Sequence, residues 1–220
     1  MIKLENVVLT SPKQMNFVIE GMRNPMNSWD KNDSYAWHEY RTGNEHFKLG
    51  DNDHSLMQRL SNAGTEHRKY MRMMPVYVRI TAPLYWWKEF DTYKIGTVTN
   101  SCSTMHKIQE KEFTLDDFSI EHLNDDRSAE LSNVEWLEHL IHHLNRDRLR
   151  FIETKDKDYW WQMIQLLPSS YNQTRNVMLN YEVLANIYRQ RKNHKLDEWR
   201  EVCKWIESLP YSELITGEEE

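Results

Sequence analysis

Residues 73–90 read Met-Met-Pro-Val-Tyr-Val-Arg-Ile-Thr-Ala-Pro-Leu-Tyr-Trp-Trp-Lys-Glu-Phe. The first nine alternate β-branched or aromatic residues with others, the period-two pattern of a strand, and Ala82-Pro83 closes it. Leu84 to Phe90 then predicts a short helix carrying Tyr85, Trp86 and Trp87. From Thr92 to Thr104 the Gly, Thr and Ser content favours extended or turn structure over helix.

On the N-terminal side, Val7 to Thr10 is apolar enough for a short strand, and Ser11-Pro12 opens a helix through Met22 that Asn24-Pro25 stops. From Asn27 to Asp53 the residues are polar, with Trp29, Trp37, Tyr40 and Phe47 scattered among them, which predicts a long irregular excursion. Leu56, Met57 and Leu60 predict a short helix ending before Gly64. On the C-terminal side, the acidic stretch from Glu121 to Glu130 reads as a solvated linker. Ser132-Asn-Val-Glu135 supplies a capping box for a long helix striped by Val134, Leu137, Ile141 and Leu144. A helix from Asp158 to Leu167 ends at Pro168, a strand covers Gln173 to Asn180, and a helix covers Tyr181 to Lys192. Leu196, Trp199, Cys203 and Ile206 mark a last helix, and Glu218 to Glu220 an acidic tail. The tally is mainly helical with a few strands, so the expected fold class is α+β, in a single domain over residues 1–220.

Composition sets the outer bounds. With 39% hydrophobic residues, 9 Trp and 11 Tyr against 6 Gly and 6 Pro, the chain has the bulk for a packed core. The tryptophans read chiefly as core, with stacking on a planar ligand as their other use. A net charge of -6 disfavours a nucleic-acid-coating surface but leaves room for a local basic pocket. Cys102 and Cys203 are too few for a disulfide framework or a Cys-rich zinc site, which suits the cytoplasm. No run of 18 apolar residues occurs, so no membrane partner is expected.

Local chemistry is sparse. His139, His142 and His143 share one helix face, but without a metalloprotease motif they read as the polar flank of an amphipathic helix, and no metal is expected. The basic runs Asn145 to Arg150 and Arg189 to Lys195 sit near helix C-termini, where cations are favourable in any case. Cys102 has no sequence-local base to activate it, and no Gly-rich phosphate loop exists.

From Leu56 to Lys107 and from Gln165 to Ile206, a little under half of the chain, the sequence resembles the flavin-dependent thymidylate synthases. Ala82-Pro83-Leu84-Tyr85 stands where that family has its strand end before a short aromatic helix and the signature RHRxxSxNxxSxR. The Arg-His-Arg falls on Thr92-Tyr93-Lys94, the first Ser on Thr97, the Asn on Thr99, the second Ser on Cys102 and the last Arg on Thr104. Leu167-Pro168 followed by Asn180, Asn186 and Arg191 keeps the family's C-terminal spacing, and His67 falls at its flavin-proximal histidine. An arginine expected before the Leu-Pro is Ile164, and a glutamine near the end of the aromatic helix is Glu89.

The resemblance implies helices packed on a small, mostly antiparallel sheet, and a homo-oligomer, a tetramer, with a site built at subunit junctions. It implies one-carbon transfer from methylenetetrahydrofolate to C5 of dUMP, a pyrimidine nucleotide, with FAD as cofactor and NADPH as reductant. Arg191 would then stabilise charge on the pyrimidine, the catalytic role. His67, Tyr93, Lys94, Asn180 and Asn186 would hold FAD, and Glu89, Asn100, Ser101 and Cys102 the nucleotide. The missing arginines weigh against tight phosphate binding: three charge-assisted hydrogen bonds at roughly 1.5 to 3 kcal/mol each amount to about 5 to 9 kcal/mol. Lys88, Arg72, Lys107 and Arg175 are the candidates to replace them. The retained Asn180, Asn186 and Arg191 equally suit a polar helix face buried at a subunit junction, and a non-catalytic nucleotide- or flavin-binding protein is the alternative function.

Overall fold

The computed structural model describes residues 2–124 and 130–217. Part of the acidic stretch from Glu121 to Glu130, and the acidic tail Glu218 to Glu220, therefore lie outside the described residues. In chain order the elements are β1 (Lys3–Leu9), α1 (Pro12–Arg23), β2 (Tyr35–His38), β3 (Glu45–Lys48), α2 (Asp51–Asn62), α3 (Lys69–Arg72), β4 (Pro75–Pro83), α4 (Leu84–Phe90), β5 (Val98–Ser101), α5 (Asn133–Thr154), α6 (Lys157–Leu166), β6 (Asn172–Asn180), α7 (Tyr181–Arg191), α8 (Asp197–Glu207) and α9 (Glu213–Thr216). Strands form one four-stranded sheet in the order β1-β4-β6-β5 and a separate hairpin of β2 and β3. The architecture is α+β, with helices on a small antiparallel sheet, as the sequence predicts.

The chain divides into two compact units. The first comprises residues 1–3, 80–92 and 100–175, and the second residues 4–79, 93–99 and 176–220; β4 and β6 contribute residues to both. In the first unit, α5 packs on α6. Leu137, Ile141 and Leu144 of the α5 stripe join Met163 of α6 and the loop residues Ile108, Phe113 and Phe118 in one buried cluster. The Ser132 cap forms as read, with Ser132 Oγ accepting from Glu135 N and Glu135 Oε2 accepting from Ser132 N. Trp86, Trp87 and Phe90 of α4 lie in mutual ring contact at centroid distances of 4.8 to 5.4 Å.

In the second unit, α1 packs on the β2–β3 hairpin, and α7 packs on α3, α8 and α9. Its core holds Met15, Ile19, Met57, Met71, Leu184, Trp199 and Ile206. Arg23 is buried against Asp53, with Nε 2.6 Å from Oδ1. The other oxygen of Asp53 accepts from the backbone N–H groups of Asp33 and Ser34, so α1, α2 and the segment before β2 are tied at one carboxylate.

Two expectations need correction. The stretch from Asn27 to Asp53 is not an irregular excursion: Tyr35–His38 pairs antiparallel with Glu45–Lys48 in the register Tyr35↔Lys48 and Trp37↔His46. Across the hairpin Trp37 stacks on His46 at 5.1 Å, and Phe47 lines a cavity with Leu9, Met15 and Met74. Nor are the tryptophans chiefly core. Trp86, Trp87 and Trp199 are fully buried, whereas Trp136 is 62% and Trp161 45% exposed. Trp136 precedes the stripe residue Leu137, and one residue turns a helix by about 100°, which carries its indole off the packed face.

Candidate functional site

The best-organised polar cluster in the second unit surrounds Arg191, the last residue of α7. Its Nε donates to Tyr93 Oη at 2.9 Å, and Tyr93 in turn donates to Gln190 Oε1 at 2.9 Å. Nη1 lies 3.0 Å from His194 Nε2. The guanidinium carbon stands 4.7 Å from the ring centre of Trp199 and 5.7 Å from that of Tyr93. Trp199 is fully buried and meets both Tyr93 and His194 edge-on. A cation on an indole face gains roughly 0.5 to 2 kcal/mol, so Arg191 is held in place by aromatic faces as well as by hydrogen bonds.

Asn180 ends β6 and is the N-cap of α7, its Oδ1 accepting from Val183 N at 3.0 Å. It is buried, with its amide nitrogen against Gly96, where a Cβ would approach to 2.9 Å. Gly96 also has φ of +76°, so glycine is required there twice over. Asn186, on the next turns of α7, accepts from Arg189 Nη2 at 2.6 Å. Lys94 is exposed. His67 is 52% exposed, with Nε2 3.5 Å from Glu66 Oε1. Of the six residues expected here, the structure joins Arg191 directly to Tyr93, with Lys94 next to Tyr93 in the chain; Asn180 caps α7, Asn186 lies on it, and His67 ends the turn Thr65–His67 before α3. The sequence alone does not point to His194 and Trp199 as partners of Arg191, or to Gln190 as the partner of Tyr93. The i, i+3 spacing of Arg191 and His194 was the available signal.

In the first unit, Glu89 is half-buried on α4, and Asn100, Ser101 and Cys102 lie exposed along and just beyond β5. The backbone of Cys102 is fixed to β6: its N–H donates to Thr174 O at 3.0 Å, and its C=O accepts from Gln173 Nε2 at 2.9 Å. Cys102 also lines a cavity of about 330 Å³ with Lys107, Lys111, Phe113, Asp117 and Tyr171. Burial pushes the Tyr171 phenol up from its ordinary pKa, keeping it a neutral hydrogen-bonding group.

The candidate replacement cations are largely engaged within their own units. Arg72 makes a two-pronged contact with Glu182, Nε to Oε2 at 2.5 Å and Nη2 to Oε1 at 2.9 Å. Arg175 lies 4.1 Å over the Trp87 ring and pairs with Asp91 at 2.7 Å. Lys107 pairs with Glu110. Lys88 is exposed. Among the described residues no group of three or more His, Cys, Asp or Glu side chains could hold a metal ion. No helix among them is long and apolar enough to cross a membrane.

The sequence matches no family model and no curated protein. Solved structures do match. Thymidylate Synthase X from Helicobacter pylori, with FAD and dUMP, superposes with a TM-score of 0.64 over 98% of this chain and 97% of its own, at 17% identity. The UMP/dUMP methylase PolB from Streptomyces cacaoi, bound with 5-Br dUMP, gives 0.61 over 99% and 94%, at 14% identity. This chain has the flavin-dependent thymidylate synthase fold. At such identities the likeness is one of backbone, and it extends well beyond the stretches that carry the sequence resemblance.

A guanidinium fixed by Trp199 and Tyr93 fits a ring carrying carbonyl oxygens. The imidazole of His67 and the ammonium of Lys94, both exposed, are groups able to meet a flavin edge or its phosphates.

Proposed function

We propose that the chain is a divergent flavin-dependent thymidylate synthase-like protein that carries out FAD-dependent one-carbon transfer to a pyrimidine nucleotide, dUMP to dTMP or a related reaction. The observation that carries this reading is the fixed position of Arg191, supported by a fold shared across nearly the whole chain with two proteins crystallised with uridine nucleotides or their bromo analogues. Bound FAD would supply the hydride chemistry, with NADPH and methylenetetrahydrofolate as co-substrates.

Arg191 would meet negative charge on the pyrimidine, its orientation set beforehand by Tyr93, His194 and Trp199, so that little reorganisation is needed as charge develops. Asn186, His67, Tyr93 and Lys94 would orient the flavin, and the amide nitrogen of Asn180 would act from behind Gly96. Glu89, Asn100, Ser101 and Cys102 would serve the nucleotide. A homo-oligomer, a tetramer by resemblance, fits the large apolar side chains left exposed in the second unit, among them Phe17, Met26, Trp37 and Tyr40.

A second reading, a nucleotide- or flavin-binding protein without synthase activity, is favoured by the ion pairs of Arg72, Arg175 and Lys107. Each cation drawn from its carboxylate to a phosphate gives up one charge-assisted contact to gain another, so these pairs weaken rather than abolish phosphate affinity. The deciding experiment is formation of dTMP from dUMP with FAD, NADPH and methylenetetrahydrofolate supplied. Turnover that disappears in Arg191→Ala supports the first reading. Ligand binding without turnover at any substrate level supports the second.

A further inference from the structure

On the second unit a cavity of about 180 Å³ opens between the end of α2, the outer face of α7 and the end of α9. Its polar lining comes from Ser61, Asn62, Arg68, Arg189, Lys192 and Thr216. Ala185, Tyr188, Arg189 and Lys192 recur at the three- and four-residue spacing of one face of α7, to which Arg191 does not belong. Three cations therefore surround the cavity, and among the described residues that line it none is an Asp or Glu.

The ordinary explanation is that these cations complement helix C-termini. Arg68 Nε does donate to Ser61 O at 2.7 Å near the end of α2. Each helix end carries at most about half a negative charge, so three of them offset roughly half of the three positive charges. An excess of positive charge remains. Arg68 Nη1 is moreover buried with no hydrogen-bond partner, an unfavourable state for a charged donor that a bound acceptor would relieve. Among the described residues Arg189 donates to a neutral acceptor, Asn186 Oδ1, and Lys192 Nζ lies 5.8 Å from the Tyr188 ring. Glu207 accepts from Tyr188 Oη at 2.8 Å.

We propose that this cavity is a binding site for a phosphate group, held by Arg68, Arg189 and Lys192. A tetrahedral oxyanion offers several acceptors to a convergent set of N–H donors and would give Arg68 Nη1 the acceptor it lacks after a small turn of the guanidinium. The volume is below the roughly 300 Å³ at which pockets for whole drug-sized ligands begin, so the occupant is inorganic phosphate or the phosphoryl end of a small molecule. This site uses neither flavin nor Arg191 and stands or falls independently of the synthase reading.

The test is calorimetric titration of the full chain with inorganic phosphate, and separately with glycerol 3-phosphate, at constant ionic strength. Saturable binding is expected, weakened at least about tenfold in the double variant Arg189→Ala/Lys192→Ala and unchanged in Arg150→Ala, a cation exposed elsewhere on α5. Both substituted residues are exposed, so the double variant should fold, and its circular dichroism melt checks this. Equal affinity for the two probes assigns the site to free phosphate; tighter glycerol 3-phosphate assigns it to a phosphorylated molecule. Absence of binding at about 10 mM of either probe, or equal binding by wild type and double variant, overturns the proposal. So does phosphate binding that emerges only when Glu218, Glu219 and Glu220 are changed to Gln, which would give the cations to the chain's own acidic tail.

Discussion

Arg191 is the residue on which the functional reading turns. Its hydrogen bond to Tyr93 and its place over Trp199 make it a fixed cation, and truncation removes the charge along with its orientation. If the chain turns over dUMP, Arg191→Ala should lower kcat/KM by about a hundredfold or more, the scale of losing one preorganised donor. Tyr93→Phe keeps the ring and removes only the phenolic oxygen; a smaller loss, up to about tenfold, is expected in the same assay. The two cysteines make a second prediction at this scale. Cys102 is exposed, whereas Cys203 is buried, and burial pushes its thiol up to about 11. The thiolate is the reactive form, so at pH 8 one thiol should react with Ellman's reagent in the native protein and the second only in denaturant. Raising the pH toward that value should speed the second thiol; two equally fast thiols at pH 8 would contradict its burial.

At the scale of elements, Asn180 separates a structural role from a functional one. Its oxygen caps α7, while its nitrogen is the donor assigned to the flavin in the proposed function. Asp caps as well as Asn does, so Asn180→Asp should leave the urea midpoint nearly unchanged and weaken FAD binding, whereas Asn180→Ala should cost about 1 kcal/mol or more of stability as well. A loss of stability without any change in FAD binding would make the residue a cap alone. The same logic shows what the sequence could reveal. The capping box at Ser132, the helix start at Ser11-Pro12, the Ala82-Pro83 strand end and the Leu84–Phe90 helix were readable because each is decided by neighbouring residues. The β2–β3 hairpin was not, since its strands are only four residues long and its stabilising pair, Trp37 with His46, is joined across the turn. Gly43, with φ of +75° before Asn44, was the turn signal to notice. Asn180, Asn186 and Arg191 are singled out in the sequence only through the family resemblance, and that Arg191 packs on Trp199 depends on how α7 meets α8, a tertiary fact.

At the scale of the whole molecule, one buried ion pair bears on the fold. Asp53 is fully buried and serves Arg23, Asp33 and Ser34 together, so Asp53→Ala leaves a buried guanidinium without its charge partner. A loss of about 3 to 5 kcal/mol in denaturant unfolding is expected. The exposed aromatic residues of the hairpin bear on assembly: light scattering should give a mass above that of one chain, and Trp37→Glu with Tyr40→Glu should lower it. A monomer at all concentrations would remove the support those residues lend to a multi-chain site. The central claim, however, is that this fold still takes up a flavin, and equilibrium dialysis of the purified protein against FAD tests it most directly, with the absorption near 450 nm read in the protein chamber. The account predicts saturable uptake of FAD and a change in that band when dUMP is added. Dialysis that leaves FAD equal on both sides at about millimolar concentration, with or without dUMP, would contradict it.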